Sequence, residues 1–558
     1  MFRTSAGAVQ RRLSCPGRTG MTISRRGLLV GAAAATGAMT AGVGAAPALA
    51  DEQTNPAVPA ARIVAPGDAR YPDVVVGNNQ RFVAAPEAVF LAGSTQQVLD
   101  AVQKAVWAGK RISVRSGGHC YADFVYHSAT KVIIDMSAMN AIGYDQTRNA
   151  FVIQPGALLG QVYETLKKGW NVTLPGGVCP TVGIGGHVAG GGYGLLSRRY
   201  GVVADHLEAV EMVVVDKLGV ARVVVASRNS ADVNRDLWWA AAGGGGGNFG
   251  IVTKYWFRSV GASGTTPGQQ LPQPPAEVLV SSLPVGWPTL TQAAFTTLVR
   301  NFGTWYERNA DPSSPYTALS GAAFITHRSA GGFGLVTQID AAVPDAARML
   351  DEYLAAITQG TGIVAPYPPR RLRWLAATRL IGTSNPATML DPTMRSTVKS
   401  AYMRKGFTDS QIAALWRGLT RTDYANPNAT VQLTGVAGGR VNSLSESATA
   451  YPHRNASFLT LFENFWMDPS QDAAHVGWLR DIYHQTFADT GGYPVPNLQT
   501  DGCYINSPDM DIRDPAINRT GVPWSTLYYK GNYAGLQRAK ARWDPLNTFR
   551  HSQSVELP

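Results

Sequence analysis

The sequence predicts an α+β protein of two lobes. The first lobe alternates helices and strands, and the second is an antiparallel sheet backed by helices. Three observations carry this. Helical and strand periodicities alternate between residues 80 and 260. A Pro/Gly-rich connector, "GASGTTPGQQLPQPP", spans 261–275. Strand-like runs and amphipathic helical stretches then mix through 276–500.

The elements follow in order. Ser94 caps a helix whose Val98, Val102 and Val106 recur every four residues, and Gly109 ends it. "RISVRS" and "KVIIDMS" are strands on either side of a glycine turn. "FVIQPG" is a strand, and "ALLGQVYETLKKG" is the helix after it. "VEMVVVDKLGVARVVVA" holds two β-branched runs around a short turn, which predicts a hairpin. "NFGIVTKYWFRS" is the last strand before the connector. Beyond it, "GAAFITH" and "SFLTLFENFW" are strands, and "PDAARMLDEYLAAI" is an amphipathic helix. An aromatic tail, "WSTLYYKGNYAGLQRAKARWDPLNTF", closes the chain. The division expected is 1–50, 51–262, 276–500 and a terminal segment 501–558.

The formal charge is +11 over 558 residues, but six arginines and no acid lie in residues 1–50, so over half the excess belongs to that segment. The rest shows no basic cluster of the kind nucleic acid requires, so nucleic-acid binding is not expected. "SRRGLLV" sets Arg25 and Arg26 before a soft apolar run that ends in "APALA", an A-x-A processing pattern. Paired arginines before a weakly apolar stretch predict twin-arginine export and a secreted protein. The true start is Met1 or Met21. No later stretch is long and apolar enough to span a bilayer, so no membrane contact is expected after processing. Without Cys15, three cysteines remain: Cys120, Cys179 and Cys503. An odd number leaves at least one thiol for other use.

Two glycine-rich turns carry the chemistry. "SGGHC" places His119 at a turn after a strand. "PGGVCPTVGIGGHVAGGGYG" holds nine glycines in residues 175–194 together with Cys179. Glycine lets backbone N–H groups crowd a ligand, and such loops cradle phosphates without lysine. The spacing matches neither a P-loop nor a Rossmann strand–turn–helix. Zinc needs three or four ligands, and no C-x-x-C occurs. A Cys/His hydrolytic dyad is compatible with the pair. Two separate cradles, however, point to one large ligand with a diphosphate.

"VRSGGHC", "GGVCPTVGIGGHVAGGGYG", "GGGGGNFGIVTKYWF" and "YYKGN…RAKARWDPLNTFRHSQS" together resemble the berberine-bridge-enzyme-like flavin oxidases over nearly all of residues 80–558. Within that family the likeness is greatest to bacterial members that tailor antibiotics, including glycopeptide sugar oxidases. The resemblance implies a two-lobed FAD-binding domain of the vanillyl-alcohol-oxidase (PCMH) type, to which the terminal segment returns, and a substrate domain over the isoalloxazine. It implies FAD attached covalently through His119 and Cys179. Two bonds suit an exported enzyme that cannot reload a cofactor made inside the cell. By motif, Arg115, Ser116, Gly117 and Gly118 fall in the pyrophosphate turn. Gly183, Gly185, Gly186, His187, Gly190, Gly191 and Tyr193 fall in the second cradle. His187 matches the histidine that stabilises negative charge on the reduced flavin. Gly250, Ile251 and Val252 match backbone contacts, and Asn532 lies in the returning tail. Val182 matches the position where valine admits oxygen. Cys120 adjoins the anchor turn, and a Cys120–Cys503 disulfide is one open pairing.

The resemblance implies oxidation of a hydroxyl carbon on a sugar or glycosylated natural product. O2 takes the electrons and yields H2O2, and the enzyme is a monomer or homodimer. One departure bears on this. Relatives carry Y-x-N-Y-P-D near the C-terminus, and the tyrosine after the asparagine is their base. Here the stretch is "CYINSPDMD", with Ser507 in that place. A phenol titrates near ~10 and can be lowered by its surroundings, whereas a serine hydroxyl is a far weaker acid. Tyr504, Tyr451, Glu463 and Tyr193 are the candidate replacements. Tyr504 would need irregular backbone to face the same way as Ser507. Two other readings stand beside the oxidase: an oxidative cyclase or dehydrogenase, and a catalytically silent binder of flavin or antibiotic.

Overall fold

The computed structural model describes residues 59–365, 367–385 and 390–558. The export-type segment and both possible starts lie outside the described residues. Strands β1 (Arg62–Val64), β2 (Ala88–Leu91), β3 (Ile112–Arg115) and β4 (Val132–Asp135) form a sheet in the order β1-β2-β4-β3. Its inner pairs are parallel, so a crossover must join β2 to β3. Helix Thr95–Trp107 supplies it. Ser94 accepts a capping bond from the Gln97 N–H, and Val98, Ala101, Val102 and Ala105 are buried beneath the helix.

Strands β5 (Ile142–Asp145), β6 (Ala150–Ile153), β7 (Leu207–Val215), β8 (Ala221–Ser227) and β9 (Ile251–Phe257) form a second sheet, in the order β5-β6-β9-β7-β8. All its pairs are antiparallel. The hairpin read from sequence is β7–β8, with Val215 facing Ala221 across the turn. Helix Leu159–Trp170 follows β6 as expected and buries Leu159, Val162, Tyr163 and Leu166.

After the connector come β10 (Glu277–Gly286), β11 (Leu319–Thr326), β12 (Gly332–Asp340), β13 (Arg370–Arg373), β14 (Arg395–Met403), β15 (Ala429–Thr434) and β16 (Phe458–Trp466). They form one antiparallel sheet, ordered β13-β10-β12-β11-β15-β16-β14. Helix Asp472–Thr486 packs on β14 and β16. Phe462 meets Tyr483 and Phe487 there, with ring centroids 5.0 and 6.1 Å away. Because strand side chains alternate between faces, Leu461 and Glu463 turn the other way, onto a cavity.

The tail ties back to the glycine run 243–247. Lys540, fully buried, donates to the Asn248 and Phe549 carbonyls at 2.7 and 2.6 Å. The Tyr529 hydroxyl donates to the Gly244 carbonyl at 3.1 Å. No described helix is long and apolar enough to cross a membrane.

Candidate active site

The two glycine loops meet back to back. A Cβ on Gly117 would lie 2.3 Å from the Gly183 nitrogen, and one on Gly183 would lie 2.2 Å from Ser116 Oγ. Only glycine permits that approach. Ser116 Oγ also donates to the Pro155 carbonyl at 2.6 Å, and the Gly185 N–H donates to the same oxygen at 3.1 Å. The loops therefore form one wall, and a cavity of about 400 Å3 opens beside it.

His119 and Cys179 both line that cavity. One hydroxyl links them: Thr181 Oγ1 lies 2.9 Å from His119 Nε2 and 3.6 Å from Cys179 Sγ. His119 Nε2 and Cys179 Sγ are thus no further apart than the sum of those distances, within the span of one tricyclic ring. Asn78 Nδ2 sits 2.9 Å from His119 Nε2. Burial, with Arg115 nearby, holds the imidazole neutral, its pKa down to about 4. A neutral ring keeps a lone pair for bonding.

His187 lines the same wall and is also kept neutral by burial, its pKa down to about 4. Its Nε2 accepts the Gly177 N–H at 3.1 Å, so the ring proton sits on Nδ1. Gly117, Gly118, Gly183, Gly185, Gly186, Val182, Gly250, Val252, Tyr193 and Cys120 line the cavity. Cys120 is a thiol whose pKa burial pushes up to about 12, and no disulfide joins it to Cys503, which instead meets the Tyr483 hydroxyl at 3.5 Å.

Other expected contacts fall outside the lining. The Arg115 guanidinium is committed to Asp135 at 2.8 Å. Gly190 and Gly191 are small for a different reason: a Cβ would strike Asn506 Oδ1 at 2.2 Å and the Tyr451 ring at 2.6 Å. Ile251 points into the core of the first sheet. Asn532 donates to the Glu446 carbonyl at 2.7 Å. Tyr451 donates to Tyr402 Oη at 2.9 Å and lies under Arg454, away from the cavity.

Of the candidate bases, Tyr193, Tyr504, Ser507 and Glu463 share the cavity. Residues 501–508 form no strand, which is how Tyr504 and Ser507 reach one side together. Tyr504 Oη accepts from the Gly192 N–H at 3.2 Å and from Asn506 Nδ2 at 3.1 Å, yet burial still drives its pKa upward. Burial holds Tyr193 well above the usual phenol range. Glu463 differs from both. Its carboxyl meets no hydrogen-bond or ion-pair partner among the described residues, and burial alone raises its pKa from 4.5 to about 7. An acid of that strength takes and returns protons near neutrality.

Sequence reasoning missed part of the lining. Gly245, Gly246, Gly247 and Asn248 come from the glycine run. His551 and Phe124 stack with centroids 3.9 Å apart. Thr430 and Gln432 come from "ATVQLT", whose polar alternation was the available signal.

The residues fit FAD. At Gly186 an added Cβ would meet nothing within 4 Å, and at Gly246 only Ala189, so side chains there would stand in the cavity. Backbone amide cradles and a neutral imidazole beside a thiol are the donor set such a ligand needs.

Sequence comparison agrees. An FAD-binding-domain profile matches residues 86–217, and a berberine and berberine-like profile matches 503–556. The aclacinomycin-N/aclacinomycin-A oxidase of Streptomyces galilaeus is 45% identical over 492 residues, 88% of this chain and 89% of the relative. The hexose oxidase of Chondrus crispus is 31% identical, over 88% of this chain and 93% of that enzyme. Among solved structures, a glycopeptide hexose oxidase complexed with teicoplanin superposes with a TM-score of 0.84 at 46% identity, covering 89% of this chain and 99% of that one. The chain belongs to the berberine-bridge-enzyme-like family of FAD-linked oxidoreductases.

Proposed function

We propose that the protein is an exported oxidase that carries FAD bonded through both His119 and Cys179. It removes hydrogen from a hydroxyl carbon of a sugar or glycosylated natural product, and O2 is reduced to H2O2. The proximity of His119 and Cys179 through Thr181 supports the double attachment. The names of the relatives, a hexose oxidase and an aclacinomycin oxidase, support the substrate class. When bound, FAD supplies the two-electron acceptor and the site of oxygen reduction.

The chain supplies the rest. Glu463 takes the hydroxyl proton. The observation that carries this assignment is an unpartnered, buried carboxyl facing the same cavity as the two anchors. Gly177 fixes the tautomer of His187, whose Nδ1–H would be available as a donor to the flavin when it is bound. Tyr193 and Tyr504, with ring centroids 5.1 Å apart, form an aromatic wall that keeps water from the reacting carbon. Val182, which lines the same cavity, leaves room for oxygen to reach the cofactor. We place the working lobes at 51–262 and 276–500, with 501–558 returning to the first.

The test is oxygen uptake by the purified protein with a panel of sugars and glycosylated antibiotics, with H2O2 assayed in parallel. Uptake matched by H2O2 supports the oxidase. Turnover only with an artificial acceptor makes it a dehydrogenase. Silence across the panel, with bound flavin still reducible by dithionite, makes it a binder.

A further inference from the structure

Strand β15 reads Ala-Thr-Val-Gln-Leu-Thr. Val431 and Leu433 are buried, 0% and 1% exposed, while Thr430 and Gln432 line the cavity. In register, Thr430 stands directly opposite Glu463, Gln432 opposite Leu461, and Phe324 opposite Gln432 on the far side. Such opposite positions hold their Cβ atoms about 5 Å apart, and next-but-one positions on a strand lie about 7 Å apart.

The three polar side chains share an unusual condition. Thr430 is 4% exposed, and its Oγ1 has no hydrogen-bond partner among the described residues. The amide of Gln432 and the carboxyl of Glu463 have none among them either. A buried polar group left this way costs about 1–3 kcal/mol, and a sheet interior ordinarily offers a partner or an apolar residue instead. Thr430 Oγ1 is enclosed in this way, while the partly exposed Gln432 and the carboxyl of Glu463 border the same cavity without a protein partner, so a ligand that presents several hydroxyls together would satisfy all three. Phe324 beside them offers a face for the C–H side of a saturated ring. A flat polyaromatic surface would leave all three unsatisfied.

We propose that Thr430 and Gln432 are specificity-determining residues that bind the hydroxyls neighbouring the one whose proton Glu463 takes, so the preferred substrate is a polyhydroxylated ring rather than an isolated alcohol. The inference deepens the oxidase reading and rests on it. Thr430 accepts from one ring hydroxyl and donates to its neighbour. The Gln432 amide does both at the next position along the strand. Removing one substrate hydroxyl would leave its protein partner unpaired, so a deoxy analogue should lose about ten- to a hundredfold in kcat/KM.

The experiment uses the flavin-loaded full chain, with methyl hexosides and their singly deoxygenated counterparts as probes. Oxygen uptake gives kcat/KM, and calorimetry gives binding. The wild type should favour the parent sugar at least tenfold over one or two of its deoxy forms. Thr430→Val and Gln432→Met should erase that preference, each at a different ring position, the parent sugar losing at least about tenfold more than the matching deoxy sugar. Thr430→Ser should restore it. Equal losses for parent and deoxy sugars, an indifferent wild type, or no measurable binding of any hexoside would overturn the inference. Hexoside binding that shows the same pattern without oxygen uptake would uphold the subsite and refute the oxidase reading separately.

Discussion

Replacing Glu463 with glutamine removes a carboxyl that the fold pays to keep. In the unfolded chain this group ionises near 4.5, and in the cavity near 7. Below pH 4.5 it is neutral in both states, and the amide is a close substitute, so wild type and variant should be equally stable. As pH rises past 4.5, only the unfolded chain gains the ionised form, and the wild type loses stability. The loss is complete once the pH exceeds about 7. At one pKa unit per 1.36 kcal/mol, the displacement corresponds to about 3 kcal/mol. Urea unfolding at pH 4 and pH 8 measures it: Glu463→Gln should match the wild type at pH 4 and exceed it by about 3 kcal/mol at pH 8. The same variant should lose about 10²–10⁴ in kcat and the rise in activity centred near pH 7. Equal stability at both pH values, or a retained rise near pH 7, would refute the reasoning.

Three further outcomes follow. Gly117→Ala drives a methyl to 2.3 Å from the Gly183 backbone, so it should destabilise the fold by at least about 1–3 kcal/mol in a thermal melt. Thr181→Val removes the hydroxyl between the anchors. Intact-mass analysis should find fewer chains carrying flavin than in the wild type, and Thr181→Ser should recover them. Tyr504→Phe deletes the acceptor of the Gly192 and Asn506 bonds. Because burial already holds that phenol protonated at neutral pH, oxygen uptake should fall less than about tenfold, and the pH profile should keep its rise near 7.

Much of this site was legible in the chain because glycine is informative where backbone must touch backbone. The loops around His119 and Cys179 announced a crowded ligand, and the β-branched runs announced their strands. Legibility ended where one residue type serves two purposes. Gly190 and Gly191 resemble cradle glycines, yet they make room for Asn506 and Tyr451. Arg115 resembles a phosphate ligand, yet Asp135 holds it. Tyr451 and Glu463 were equal candidates by sequence. Glu463 faces the cavity because the helix Asp472–Thr486 covers the opposite face of β16 at Phe462, and packing between separate elements leaves no local trace. Tyr504 and Ser507 share a side because their segment is irregular, which strand alternation cannot anticipate.

The double attachment is tested most directly by acid precipitation of purified wild type, His119→Ala, Cys179→Ala and the double variant, with flavin absorbance read in pellet and supernatant. The wild type and each single variant should keep flavin in the pellet, and the double variant should release it all. Colour that leaves the wild-type pellet entirely, or stays with the double variant, would contradict the double attachment.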